Sequence, residues 1–156
     1  MCLAYARTYG LYVTISRSSN NYGPWQHSEK LLPKIIALAE SGKKISVYGT
    51  GLNKRDWLYV FDHCIAVDKI IKHGKAGHIY NIAGGTEMAN LSFIKVVLEI
   101  LGKEENIIEF VKDRAGHDLR YPMDCEKIKN ELAWKPHYAF KEALTKTVAW
   151  YKGKIL

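Results

Sequence analysis

The sequence has no apolar run near the roughly 20 residues that a membrane-spanning helix needs. Its first residues, Met1-Cys-Leu-Ala-Tyr-Ala-Arg7, lack the basic-then-apolar order of a secretory signal. The three cysteines, Cys2, Cys64 and Cys125, share no close spacing, which argues against a zinc site and a disulfide framework and predicts a soluble chain of the reducing cytoplasm. No two histidines sit at a metal-ligand spacing with a third partner, and His63 and His137 read as ordinary surface or core residues. Repeats, low-complexity tracts and linkers are also missing. The net charge is +7, yet the basic residues are scattered and form no run interleaved with aromatics. That pattern predicts a solvated basic surface rather than a nucleic-acid face, with attraction of a small anionic ligand as a further reading.

What is present fits one domain of 156 residues, 47% hydrophobic and 25% charged, long enough to bury a real core. Residues 2 to 9 read as the last turns of a helix stopped by Gly10. Leu11 to Ser16 is β-branched and aromatic and predicts a strand, running into a polar loop, Arg17 to Pro24. A helix is expected from a Ser28 cap to Gly42, with Pro33 tolerated near its first turn. Ile45 to Tyr48 predicts a strand, Asp56 to Val60 an extended segment, Asp62 to Gly74 a helix and Ile79 to Ile82 a strand. An Asn90-capped helix ends at Gly102, followed by a strand from Ile107 to Val111, a polar loop from Asp113 to Pro122, and helices over 124–132 and about 139–152. Alternating strands and helices predict an α/β domain.

Six stretches then stand out together: "SSNNYGP" at 18 to 24, "EKLLP" at 29 to 33, "VYGTG" at 47 to 51, "RDWLYVFDH" at 55 to 63, "YNIAGG" at 80 to 85 and "DRAGHDLRY" at 113 to 121. In this order and spacing, from about Arg7 to Trp150, the chain resembles the C-terminal part of the dTDP-glucose 4,6-dehydratases. These are extended short-chain dehydrogenases/reductases of the NAD-dependent epimerase/dehydratase family. The resemblance implies a small mixed sheet with helices, plus a remnant helix and strand of the Rossmann domain. On that reading 1–156 is a single substrate-binding domain, with 1–23 the Rossmann remnant and 24–156 the nucleotide-sugar-binding part. The Gly-rich phosphate loop of the NAD-binding half is missing, since Gly10, Gly23 and Gly49-Thr-Gly51 form no such fingerprint. The family's Tyr-x-x-x-Lys dyad and its proton-shuttling acids are expected upstream of Met1, so no catalytic residue is assigned and the chain alone is expected to be inactive.

In the family, bound NAD oxidises the sugar at C4, water leaves across C5 and C6, and the hydride returns to C6. The residues of this half are positioners. By resemblance Asn20 contacts the substrate's phosphate end and Asn21 the cofactor; read as residues alone, both equally suit turn-building before Tyr22-Gly23-Pro24. Arg55 and Arg114 match the phosphate-clamping arginines, where the bland reading is surface pairing with Asp56, Asp113 or Asp118. Lys30 and Leu31 meet the ligand at the start of a helix, although a first-turn Lys is often merely solvated. Tyr48 packs near base and ribose, or serves as a core residue. Asn81 and His117 complete the set, His117 as a donor to a phosphate rather than a base.

Three positions depart from the family: Phe61 for Glu, Ala115 for Pro, and Leu119 for the first of two arginines. Their loss removes a surface pair or marks a chain no longer selected for catalysis. The implied function is the nucleotide-sugar-binding half of a dTDP-glucose 4,6-dehydratase, with a homodimer or an NAD-carrying partner chain completing it, and neither nucleic acid nor membrane as partner. Alternatives are another nucleotide-sugar epimerase or decarboxylase, or a non-catalytic remnant or binding module. The apolar strand at 11–16 is expected to lie uncovered in the isolated chain, predicting oligomerisation or poor solubility.

Overall fold

The computed structural model describes residues 1–155. Helix α1 (Cys2–Tyr9) ends at Gly10, whose left-handed φ of 63° closes it, and none of its residues is buried. Strand β1 (Ile15–Ser18) starts four residues later than the apolar pattern of Leu11–Ser16 suggests. The reason is local. The Val13 carbonyl accepts from Gly77 N–H and the Tyr12 hydroxyl donates to the Gly74 carbonyl, so this stretch serves the 74–77 turn instead of a ladder. β1 pairs in parallel with β5 (Ile79–Ile82).

The polar segment expected as a loop contains a strand, β2 (Asn20–Tyr22), parallel to β4 (Lys54–Tyr59). β4 also pairs antiparallel with β6 (Glu87–Ala89), a strand that its short sequence does not announce. β3 (Ile45–Tyr48) pairs in parallel with β7 (Ile108–Val111), which follows a 3-10 turn at Glu105–Ile107. The strands thus form three small sheets, β1-β5, β2-β4-β6 and β3-β7.

β4 is buried from Arg55 to Tyr59 and divides two cores. Alternation sends Trp57 and Tyr59 to one face and Leu58 to the other. The first core gathers α2 (Leu31–Glu40), α4 (Asn90–Leu101) and α6 (Phe140–Ile155), with Trp57 stacked on Phe93 at 3.7 Å. The second packs β5 against α3 (Val60–His73) and α5 (Glu126–Leu132) through Leu58, Ala66, Ile70, Tyr80, Ile82 and Ile128.

Helix starts differ from the expected caps, through a local turn at α2, where Lys30 N–H donates to His27 O, and through tertiary contacts at α3 and α4. Lys30, rather than Ser28, is the N-cap of α2. α4 begins at Asn90 itself, whose N–H donates to the Asn53 carbonyl while Leu91 N–H donates to Gly51. Asp62 lies inside the first turn of α3, and its buried carboxylate accepts from the N–H groups of His137 at 2.7 Å and Tyr138 at 3.3 Å. Asp56 plays a similar tying role, accepting from Ser19 Oγ and Gly84 N–H, each at 2.6 Å. A Cβ at Gly84 would lie 1.8 Å from the Trp57 carbonyl oxygen, so the "YNIAGG" motif needs glycine for the close pass over β4.

Candidate functional site

β4 turns Arg55 to the same face as Trp57, at the floor of a cavity of about 430 Å³. The 49–53 turn brings β3 to β4, and a Cβ at Gly51 would lie 2.7 Å from Val47 and 2.9 Å from Leu91, so glycine allows α4 to start against it. Over the top runs the segment 113–121. It is strapped to β4 by Lys54 N–H donating to Leu119 O (2.8 Å), and by Asn53 Nδ2 (3.1 Å) and Arg55 Nη2 (2.9 Å) both donating to Asp118 O. Arg120 Nε donates to both carboxylate oxygens of Glu87, at 2.8 and 3.0 Å. That contact holds Glu87 below the ordinary carboxylate range. The Leu119 side chain is exposed and Phe61 packs edge-on to Tyr59 at 5.4 Å, so the strap uses the Leu119 backbone and neither of these two side chains.

The cavity brings together Asn20, Lys30, Leu31, Tyr48, Arg55, Arg114 and His117. Arg55 is only 8% exposed; Nη1 donates to Lys54 O at 2.7 Å and the guanidinium lies 4.3 Å from the Tyr121 ring centre. The Tyr121 hydroxyl donates to Asn20 Oδ1 at 3.1 Å, linking the strap to β2. Arg114 lies over the Tyr48 ring at 4.8 Å, and its Nη2 is 3.2 Å from His117 Nε2. His117 Nδ1 is 2.7 Å from Asp113 Oδ1, which also accepts from Arg114 N–H at 2.8 Å. These bonds, the His117 contact first, hold the Asp113 carboxyl below its usual range. Both ring nitrogens of His117 thus have a partner within this segment, Arg114 Nη2 at Nε2 and Asp113 Oδ1 at Nδ1.

Two assigned residues lie elsewhere. Asn81 on β5 is half-buried and spends its Nδ2 on the Asp124 carbonyl at 2.9 Å, outside the cavity. Asn21 faces a second hollow of about 690 Å³ that shares Asn20, Lys30 and Tyr121 with the first. Its Nδ2 donates to Ser18 Oγ and Ser19 O, each at 3.1 Å, as a turn-builder's would, while its buried Oδ1 has no partner among the described residues. Sequence reasoning missed Asp113, Asn53 and Tyr121 as parts of the site. Asp113 and His117 are four apart in one motif, a usable signal; the contact of Tyr121 with Asn20 spans 101 positions and leaves none.

Electrostatics set the site's character. Neither Arg55 nor Arg114 is ion-paired with a carboxylate among the described residues, so the alternative of surface pairing with Asp56, Asp113 or Asp118 is not what the structure holds. A buried guanidinium without an anion is costly unless a ligand supplies one. Apolar Ile45 and Val47 and the Tyr48 ring complete a pocket suited to a ring bearing an anionic group. No group of residues that could hold a metal ion occurs among the described residues, and no helix there is long and apolar enough to cross a membrane.

This fold is that of part of the extended short-chain dehydrogenases/reductases. A dTDP-glucose 4,6-dehydratase from Bacillus anthracis, solved in complex with NAD, is 47% identical and superposes with a TM-score of 0.92 over 97% of this chain and 48% of its own. DesIV, the dTDP-glucose 4,6-dehydratase of Streptomyces venezuelae, is 43% identical with a TM-score of 0.95 over 97% of this chain and 47% of its own. The family model described as GDP-mannose 4,6 dehydratase matches residues 1–147, and the chain belongs to that family. The dTDP-glucose 4,6-dehydratase of Streptomyces niveus is 43% identical over 152 residues, 97% of this chain and 45% of that protein. The chain thus spans about half the length of the curated relatives it matches.

Proposed function

We propose that this chain is the nucleotide-sugar-binding half of a dTDP-glucose 4,6-dehydratase, the enzyme class that converts dTDP-glucose to its 4-keto-6-deoxy derivative with loss of water. The observation that carries this reading is the buried, unpaired guanidinium of Arg55, which shares one cavity with Arg114, Lys30 and an aromatic wall. A pyrophosphate is the anion that such a forked pair of cations suits, and Tyr48 offers a face to the nucleoside. Residues 24–156 supply this pocket together with Asn20 on β2, and on this reading 1–23 is the part that continues into an NAD-binding half.

NAD is the cofactor of the complete enzyme. Among the described residues Asn21, with its unpartnered Oδ1 beside the second hollow, fits a contact to it. No Gly-rich phosphate loop is present, so NAD is not expected to bind this chain alone. Exposed Leu3, Tyr5, Tyr9, Leu11 and Tyr12 favour completion by a second copy or by a chain carrying the NAD half. Three free cysteines fit the cytoplasm.

The test is calorimetric titration of the purified chain with dTDP-glucose, UDP-glucose and NAD. Binding of dTDP-glucose that Arg55→Ala and Arg114→Ala both weaken, with none for NAD, is expected. Tighter binding of UDP-glucose would favour an epimerase-type relative. Binding of neither sugar nucleotide would leave a non-catalytic remnant.

A further inference from the structure

We infer that Asp113 is a positioning residue for the anion site, acting through His117 to fix the direction from which Arg114 faces the cavity; this rests on the nucleotide-sugar reading above. The argument is one of donors and acceptors. An ionised carboxylate only accepts, so at 2.7 Å from Asp113 Oδ1 the Nδ1 atom of His117 carries the proton. A guanidinium only donates, so at 3.2 Å from Arg114 Nη2 the Nε2 atom is bare. One form of the ring satisfies both, the neutral Nδ1–H tautomer. A doubly protonated ring, or the Nε2–H tautomer, would set donor against donor at Arg114.

The unit is built rather than incidental. The His117 side chain is 7% exposed, so solvent has little access to substitute for either partner. Asp113 Oδ1 also accepts from Arg114 N–H, so one carboxylate oxygen holds both the backbone and, through His117, the side chain of Arg114. A Cβ at Gly49 would lie 2.7 Å from Asp113 Oδ2 and 2.9 Å from Cγ, so the missing side chain leaves room for the carboxylate. Gly49 follows Tyr48, over whose ring Arg114 lies. "VYGTG" and "DRAGHD", distant in sequence, thus make one device that aims a cation.

The experiment reads the tautomer directly by long-range proton–nitrogen correlation of the His117 ring in nitrogen-15-labelled chain, alongside calorimetric titration with dTDP-glucose. The Nδ1–H form is expected in the wild type. Asp113→Ala should convert His117 to the Nε2–H form or a mixture and weaken dTDP-glucose about 10-fold, as loss of an orienting partner typically does. Asp113→Asn, whose amide oxygen still accepts from Nδ1, should keep the tautomer and bind within about 3-fold of wild type. It also guards against a fold defect in the alanine variant. A wild-type chain that binds while Asp113→Ala leaves either the tautomer or the affinity unchanged overturns this inference alone. A wild-type chain that binds no dTDP-glucose overturns the nucleotide-sugar reading, and the role of Asp113 toward that ligand falls with it.

Discussion

Replacing Arg55 by methionine separates binding from stability, because the structure gives this buried cation no anion of its own. The substitution removes the bonds to the Lys54 and Asp118 carbonyls, about 3–6 kcal/mol together for a charged donor, and the stack on Tyr121, about 0.5–2 kcal/mol. Against this stands relief of burying a charge that is only 8% exposed, several kcal/mol in the opposite sense. The terms largely cancel, and Met keeps most of the packing volume. At about 2–4 °C per kcal/mol for a domain of this size, Tm should stay within about 5 °C of wild type. The ligand has no such compensation. A forked guanidinium–phosphate contact comprises two charge-assisted bonds, about 3 kcal/mol together, so dTDP-glucose affinity should fall about 150-fold. Thermal melts and calorimetry on the same preparations test both halves. Affinity within a few-fold of wild type would refute the claim that Arg55 waits for an anion, and a fall in Tm beyond about 10 °C would show it to be a structural cation.

Four further outcomes follow from particular contacts. Gly84→Ala should cost about 3 kcal/mol in urea unfolding, since its Cβ would meet the Trp57 carbonyl at 1.8 Å; an unchanged midpoint would mean that the 83–85 turn yields freely. Asp62→Ala strips the acceptor from His137 and Tyr138 N–H and should cost about 2–4 kcal/mol, and a loss below 1 kcal/mol, read from the same unfolding curves, would argue that water replaces it. Asp113 and Glu87 both titrate lower folded than unfolded, so their stabilisation is complete above their unfolded values near pH 4 and is lost as pH falls through the depressed folded ones. The protection factor of Lys54 N–H against hydrogen exchange should therefore fall selectively in acid, and an identical profile in Asp113→Asn/Glu87→Gln would contradict that assignment. Light scattering of the isolated chain should show self-association through the exposed residues of α1 and the segment after it; a monodisperse monomer that binds no hydrophobic dye would speak against it.

The chain's own residues set much of this. Helical periodicity in α2, α3, α4 and α6 marked them, because an apolar stripe at 3.6-residue spacing has few other uses. Gly10 and Gly102 stopped their helices as expected, since both adopt the left-handed conformation that glycine reaches without strain. The six motifs were legible as a family pattern, and with it most of the residues that line the cavity. Tertiary structure decided what depends on partners distant in the chain. Asn20–Tyr22 reads as a turn until β4 supplies its hydrogen bonds, and Ser28 reads as a cap until the chain turns at Lys30 instead. Whether Arg55 meets a carboxylate or stays unpaired, and which groups meet the two ring nitrogens of His117, are set by angles and distances across folded segments. A linear sequence fixes which groups can donate or accept; only packing fixes which of them meet.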